Sequence, residues 1–320
     1  MSESFLQSYG LFIAQLGTFF FFVGLIFVLL LRTVISFKPQ VKGRISLSQL
    51  DPERQALESD WAAGLFGKSE LKRKKKNFKL KEKQKRPVLF VLDFHGDVKA
   101  SGTRKLAEEV SAVIGLAQKG DQVLLKVESP GGSVAGYGLA ASQLQRLKLA
   151  GLKLSVTIDQ VAASGGYLMA VVADEIWSAP FSVVGSIGVV ASMPNFKRLL
   201  DDKKVDFEQI TAGEYKRTLT LFGENTDQDR AKVQEEVDLI HSQFKEWVAQ
   251  FRPQLDLAKV ATGEWWHGKQ ALELGLVDHL GTSDQLIETL SNSYRIYTLC
   301  WNAPKRQRSL LSRLAAQIAS

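Results

Sequence analysis

The chain has 320 residues, 45% of them hydrophobic, and a formal charge of +7. A single cysteine excludes an internal disulfide and a multi-cysteine zinc site, and four scattered histidines lack ligand spacing, so neither a metal site nor a cofactor is expected. The positive charge is local: residues 68–86 hold eleven Lys or Arg against two Glu, which leaves the rest slightly acidic.

Residues 11–31 carry no charge and are rich in Phe, Leu, Ile and Val. At about 1.5 Å per residue, a helix of this length crosses a hydrocarbon core of about 30 Å. A cleaved signal peptide fits less well. The stretch exceeds the usual apolar region of such peptides, few positive charges precede it, and no small-residue cleavage site follows. The expectation is an uncleaved transmembrane anchor after a short tail, residues 1–10. Only Glu3 is charged before it, whereas Arg32, Lys38, Lys42 and Arg44 follow closely. By the positive-inside rule this favours a cytoplasmic main domain.

Residues 32–87 read as a stalk with a Lys/Arg-rich linker. Residues 59–67 can form a short helix, but residues 72–86 have too few apolar side chains to bury a face. They suit a solvated linker or a segment drawn to anionic headgroups, at about 1 kcal/mol per basic residue. The run lacks the interleaved aromatics and fold context of a nucleic-acid site, and no nucleic-acid partner is expected.

From Val88 the pattern changes. VLFVLD is a buried-strand run, a helix is expected over residues 103–118, and residues 122–127 (QVLLKV) form the next strand. The turn Ser129-Pro130-Gly131-Gly132-Ser133 leads into a helix over residues 134–150. Residues 152–158 form a third strand, which leads to Ser164 and an Ala-rich helix beyond it. Residues 175–179 and 183–190 are shorter apolar runs with strand character. Strands alternating with helices imply an α/β fold with parallel pairing. Sites in such sheets lie beyond the carboxyl ends of the strands, where both glycine-bearing turns fall.

Ser164 is followed by Gly165 and Gly166 at the start of a helix. The plain reading is a capping serine with packing glycines. The chemical reading is a nucleophile that a substrate backbone can approach closely, since two Cβ atoms are absent beside it. The consecutive N–H groups of Gly131 and Gly132 suit an oxyanion hole, worth about 2.7–4 kcal/mol per donor. A tight structural turn is the alternative there, and the phosphate-loop and dinucleotide glycine spacings are absent. A serine nucleophile also needs a base. No histidine accompanies either turn and no Gly-x-Ser-x-Gly elbow occurs. A lysine made neutral by burial would serve, but spacing does not choose among the many lysines.

Four blocks carry a family resemblance: Ser129-Pro130-Gly131-Gly132-Ser133-Val134, Ala163-Ser164-Gly165-Gly166-Tyr167, Gly185-Ser186-Ile187-Gly188-Val189, and Ala271-Leu272-Glu273-Leu274-Gly275-Leu276-Val277-Asp278. In this order they resemble the signal peptide peptidase A family of serine proteases, over roughly residues 88–290. The resemblance implies a ClpP/crotonase-like fold and a Ser–Lys protease. By matching position it makes Ser164 the nucleophile and Lys216 the general base. It makes Gly131, with Gly132 beside it, the oxyanion hole, and Ser186 the serine that orients the lysine. It also implies helical blocks over residues 227–251 and 268–275. Glu264 departs from the arginine often found in the family, which bears on local packing before Gly268 rather than on the dyad.

The organisation implied is a catalytic domain over residues 88–290 and a C-terminal extension over residues 291–320, partly an amphipathic helix around residues 306–318. By the same resemblance the protein sits in a bacterial inner membrane, with the periplasm as the alternative side. The resemblance further implies a homo-oligomer that cleaves peptides or protein segments near the bilayer. Two other readings stay open: an acyl-CoA enzyme on the same broad fold, and a membrane-anchored interaction protein with an inactive site.

Overall fold

The computed structural model describes residues 15–26, 43–50, 72–73, 86–213 and 215–302. These fall in two units, one within residues 1–43 and 303–320, the other Arg44–Asn302. In the first, residues 15–26 are helical with every side chain exposed, and neighbouring phenyl rings meet edge to face (Phe19–Phe20 and Phe21–Phe22, each with centroids 5.9 Å apart). Among the described residues no helix is long and apolar enough to cross a membrane. The rest of the expected anchor, the short helix at residues 59–67 and the amphipathic stretch at residues 306–318 lie outside the described residues.

The second unit is an α/β domain. Its main sheet contains β1 (Arg44–Gln49), β2 (Val88–His95), β3 (Gln122–Glu128), β4 (Lys153–Ile158), β6 (Glu175–Ser178), β9 (His279–Leu280) and β10 (Arg295–Asn302). Their order is β1-β10-β2-β3-β4-β6-β9, and every pair is parallel except β1 with β10. The strands alternate in the direction their side chains point. Phe90, Leu92 and Phe94 of β2 join the larger core with Leu106, Val110 and Val113 of α1 (Thr103–Leu116) and Leu144 of α2 (Val134–Leu149). Leu89 and Val91 face the other way, onto Leu286 and Ile287 of α8 (Ser283–Leu290). Burial on both faces explains why β2 reads as an unbroken apolar run.

The sheet extends past the expected catalytic domain at both ends. β1 lies within the stretch read as stalk, and β10 within the stretch read as C-terminal extension. Each pairs with a strand more than two hundred residues away, so local pattern shows little of either. The buried carboxylate of Glu109 accepts the Trp301 N–H (2.8 Å) and so ties the far end of β10 to α1.

A second sheet, β5 (Val161–Ala163), β7 (Val183–Gly185) and β8 (Trp265–His267), was not foreseen as a unit. Its three-residue strands are too short for a periodic signal. The run over residues 183–190 stays extended as a strand only to Gly185, because Gly185 (φ 100°) and Ser186 (φ 52°) turn the chain. The remaining helices are α3 (Gly165–Ala170), α4 (Lys197–Asp202), α5 (Asp227–Phe251), α6 (Leu257–Val260) and α7 (Gly268–Glu273).

α5 starts at a capping box. The Thr226 hydroxyl accepts the Asp229 N–H (3.2 Å) and the Asp229 carboxylate accepts the Thr226 N–H (2.9 Å). Only Phe244 and Val248, near its C-terminal end, are buried. Trp247 donates from Nε1 to the Leu168 carbonyl (3.1 Å) and fastens α5 to α3. Just past the helix, buried Arg252 grips Asp278 through two hydrogen bonds (2.6 and 2.7 Å), and Asp278 also accepts the Ile176 N–H of β6 (2.7 Å). Burial works to raise the Asp278 pKa, but the Arg252 and Ile176 donors outweigh it and hold it below the usual carboxylate range.

A folded-state pKa below the unfolded value gives stability that is present above the unfolded pKa and lost as pH falls through the folded one. Asp278→Ala leaves a buried guanidinium without its partner, so we expect a loss of roughly 3 kcal/mol, at the low end of the range for buried pairs. Denaturant melts at pH 7 and pH 3 check this. The gap between wild type and Asp278→Ala should narrow at the lower pH.

Candidate active site

Ser164 is held on both sides. Beyond β3, Ser129 bridges to β5: its N–H donates to the Val161 carbonyl (2.8 Å), and its carbonyl accepts the Ala163 N–H (3.0 Å). On the other flank, the Ser164 N–H donates to the Gly185 carbonyl at the end of β7 (2.8 Å). Between these clamps Ser164 adopts φ 50°, ψ −117°. A non-glycine residue there carries about 1–3 kcal/mol of backbone strain, which surrounding structure must enforce. Ser164 occupies the N-cap position of α3, yet its side chain makes no capping hydrogen bond. Capping therefore does not account for the serine.

Gly131 is pressed against this turn. A Cβ on it would come within 2.7 Å of Ser164 Cβ and 2.9 Å of the Gly165 nitrogen, and its φ is +94°. Gly132 lies as close to the Val98 backbone, where a Cβ would meet Val98 Cα at 2.6 Å. The Gly131 N–H donates to Ser129 Oγ (3.1 Å). Among the described residues, the N–H groups of Gly132 and Gly165 donate no hydrogen bond. Gly165, first residue of α3, has no intrahelical acceptor by the geometry of a helix start. Gly165 is thus a third backbone donor at the site, beyond the two glycines singled out from the sequence.

Ser186 follows β7. Its N–H donates to the Glu264 carbonyl (2.6 Å) and its hydroxyl to the Gly263 carbonyl (3.3 Å). The Glu264 side chain accepts the Thr262 hydroxyl (2.8 Å), so this position is held by its backbone and a local bond. Ser164, Ser186, Gly131 and Gly132 all line one cavity of about 1010 Å³. Its walls are largely apolar, with Val98, Val134, Leu168, Val190 and Trp247 among them, and α5 adds Asp238 and His241. No local pattern in residues 227–251 indicates that α5 lines this cavity.

Lys216 stands apart. It is exposed on the loop between α4 and α5, its N–H donates to the Gly213 carbonyl (3.2 Å), and it is not among the residues lining the cavity. Asn195 holds that loop, donating from Nδ2 to the Thr220 and Gly223 carbonyls (2.9 and 3.0 Å). The site residues in the chain as described are therefore four together and one outside.

Comparison with known proteins places the chain in a family. The model described as "Peptidase family S49" matches residues 146–296, and "Peptidase family S49 N-terminal" matches residues 4–144. The chain is 41% identical to "Probable protease SohB" of Buchnera aphidicola subsp. Acyrthosiphon pisum, over 98% of this chain and 94% of that protein. It is 56% identical to "Probable protease SohB" of Haemophilus influenzae, over 64% of this chain and 58% of that protein. Among solved structures, a membrane-bound stomatin-specific protease gives a TM-score of 0.43 at 12% identity, over 64% of this chain and 85% of that one.

Gly131→Ala puts a methyl group against Ser164 at a strained φ. We expect it to abolish labelling of Ser164 by a fluorophosphonate while the circular dichroism spectrum stays that of wild type. Labelling at the wild-type rate would mean that the loop retreats from Ser164 at little cost.

Proposed function

The chain belongs to peptidase family S49 and is a serine-type protease; we propose that it is a membrane-anchored endopeptidase of ClpP/crotonase-like fold that works through a Ser164–Lys216 dyad. The observation that carries this reading is Ser164 itself. It is a serine at positive φ, free of any capping role, at the wall of a large cavity with a glycine loop pressed against it. Strain of this kind collects at functional sites.

In the proposed reaction, neutral Lys216 takes the Ser164 hydroxyl proton and the oxygen attacks a peptide carbonyl. Backbone N–H groups of the Gly131–Gly132 loop and of Gly165 receive the oxyanion, with the Gly131 N–H shared between it and Ser129 Oγ as a three-centre bond. The protonated lysine then donates to the leaving amine, and water hydrolyses the acyl-enzyme. A lysine serves as base only as the neutral amine, a form that water disfavours at neutral pH and burial favours. We therefore place closure of the loop at residues 203–226 over the cavity on the reaction path, in an assembly of copies of the chain that covers it. In that closed form Ser186 orients the lysine amine.

The apolar cavity walls suit peptide segments with apolar side chains. Residues 11–31 serve as the anchor, in a bacterial inner membrane by analogy with the relatives, so the substrates are signal peptides or segments of membrane proteins near the bilayer. The excess of Lys and Arg after residues 11–31 favours a cytoplasmic catalytic domain.

Ser164→Ala and Lys216→Ala should each lower hydrolysis of casein and model peptides by roughly three orders of magnitude or more while remaining assembled. In wild type, kcat/KM should climb as pH rises, because the reaction runs on the deprotonated base. Cleavage that survives Ser164→Ala would exclude this nucleophile, and a Lys216→Ala protein as active as wild type would exclude this base. After alkaline carbonate extraction of membranes the full chain should stay in the pellet; release into the supernatant would argue against the anchor.

A further inference from the structure

The Gly131 loop rests on a buried chain of hydroxyls. Tyr137 of α2 has no exposed surface, and its ring meets Phe94 edge to face at 6.2 Å. Its hydroxyl lies 2.8 Å from the Asp97 carbonyl and 2.6 Å from Ser129 Oγ. A carbonyl only accepts, so the single Tyr137 proton goes to Asp97. Ser129, also fully buried, must then donate its proton to Tyr137 Oη, which leaves Ser129 Oγ to accept the Gly131 N–H (3.1 Å). Every donor in this chain therefore has a fixed direction. Burial pushes the Tyr137 phenol up, so it keeps its proton at neutral pH.

The glycines around it make room for the same tyrosine. A Cβ on Gly96 would collide with both Tyr137 Oη and Ser129 Oγ, and a Cβ on Gly165 would collide with Tyr137 Cγ. Gly165 follows the nucleophile. One side chain thus supports the residue after Ser164 with its ring and the loop facing Ser164 with its hydroxyl.

We propose that Tyr137 and Ser129 are positioning residues for the oxyanion hole: Tyr137 orients the Ser129 hydroxyl, and that hydroxyl fixes the peptide planes of the Gly131–Gly132 loop against Ser164. The inference rests on the Ser164 protease reading above. A loop displaced by about 1 Å at a reacting centre costs up to about a hundredfold in rate. The loss falls on the transition state, because ground-state binding along the cavity walls does not use these hydroxyls.

The test uses the full-length protein and its Tyr137→Phe and Ser129→Ala variants, with active sites titrated by a fluorophosphonate. For each we would measure kcat and KM on a peptide substrate, and Ki for a peptide aldehyde of the same sequence, whose adduct with Ser164 carries the oxyanion. We expect kcat per titrated site to fall about ten- to a hundredfold, KM to stay within about twofold, and the aldehyde Ki to weaken in step with kcat. A purely structural role predicts fewer titratable sites with unchanged kcat and Ki per site, and that result would overturn the proposal, even for a poorly folding variant. Unchanged kcat and Ki in both variants, with wild-type cleavage still dependent on Ser164, would sink this inference alone. Wild-type cleavage indifferent to Ser164→Ala would remove the protease reading and this inference with it.

Discussion

Ser164 stands at φ 50° because hydrogen bonds on two sides leave it no other conformation: Ser129 holds the strand before it, and Gly185 holds its own N–H. Strain of this size persists only where the surroundings over-determine it. Those surroundings reach far along the chain. Ser129 follows directly on a strand of the main sheet, Gly185 ends a strand of the small sheet, and Glu264 beside β8 holds Ser186 through its carbonyl. The small sheet brings these separate turns together at one cavity.

The glycines follow from the same crowding. Gly131 is required by its φ of +94° and by contact with Ser164, whereas Gly165 is required by the ring of Tyr137. Two neighbouring motifs thus interlock through a buried tyrosine that belongs to neither. A polar chain in such a place is stable only when every member is satisfied. Here each hydroxyl has one donor direction and one acceptor role, which gives the loop a single arrangement.

The loop after α4 is a different kind of structure. The loop carrying Lys216 is exposed over most of its length; its Phe222 meets Phe207 (5.6 Å) and Phe196 (6.0 Å), and its Tyr215 ring faces Lys232 of α5 (5.2 Å). α5 is anchored by Trp247 and Arg252 at one end, while its N-terminal half remains largely exposed. Segments with few buried contacts sit at the low-stability end of a fold, where moving parts are drawn from. The turn at Ser164 is thus held from two sides, whereas the loop at Lys216 is held by few contacts.

The sequence by itself determined the α/β class, the alternating strands and helices from Val88 to Ser178, the two glycine turns, and Ser164 as the residue of interest. Each of these is written locally, in apolar period, turn chemistry and short motifs. The apolar run near the N-terminus and the basic segment after it were equally legible as composition. Only the tertiary structure decided that residues 44–49 and 295–302 belong to the sheet, that three very short strands form a second one, and that Tyr137 supports both turns at once. Those facts depend on contacts between residues far apart in sequence, and strands of two or three residues have no period to read. Lys216 marks the boundary. The family resemblance singles it out, but the chain leaves it on an exposed loop outside the cavity that Ser164 lines, and no local pattern specifies where such a loop rests.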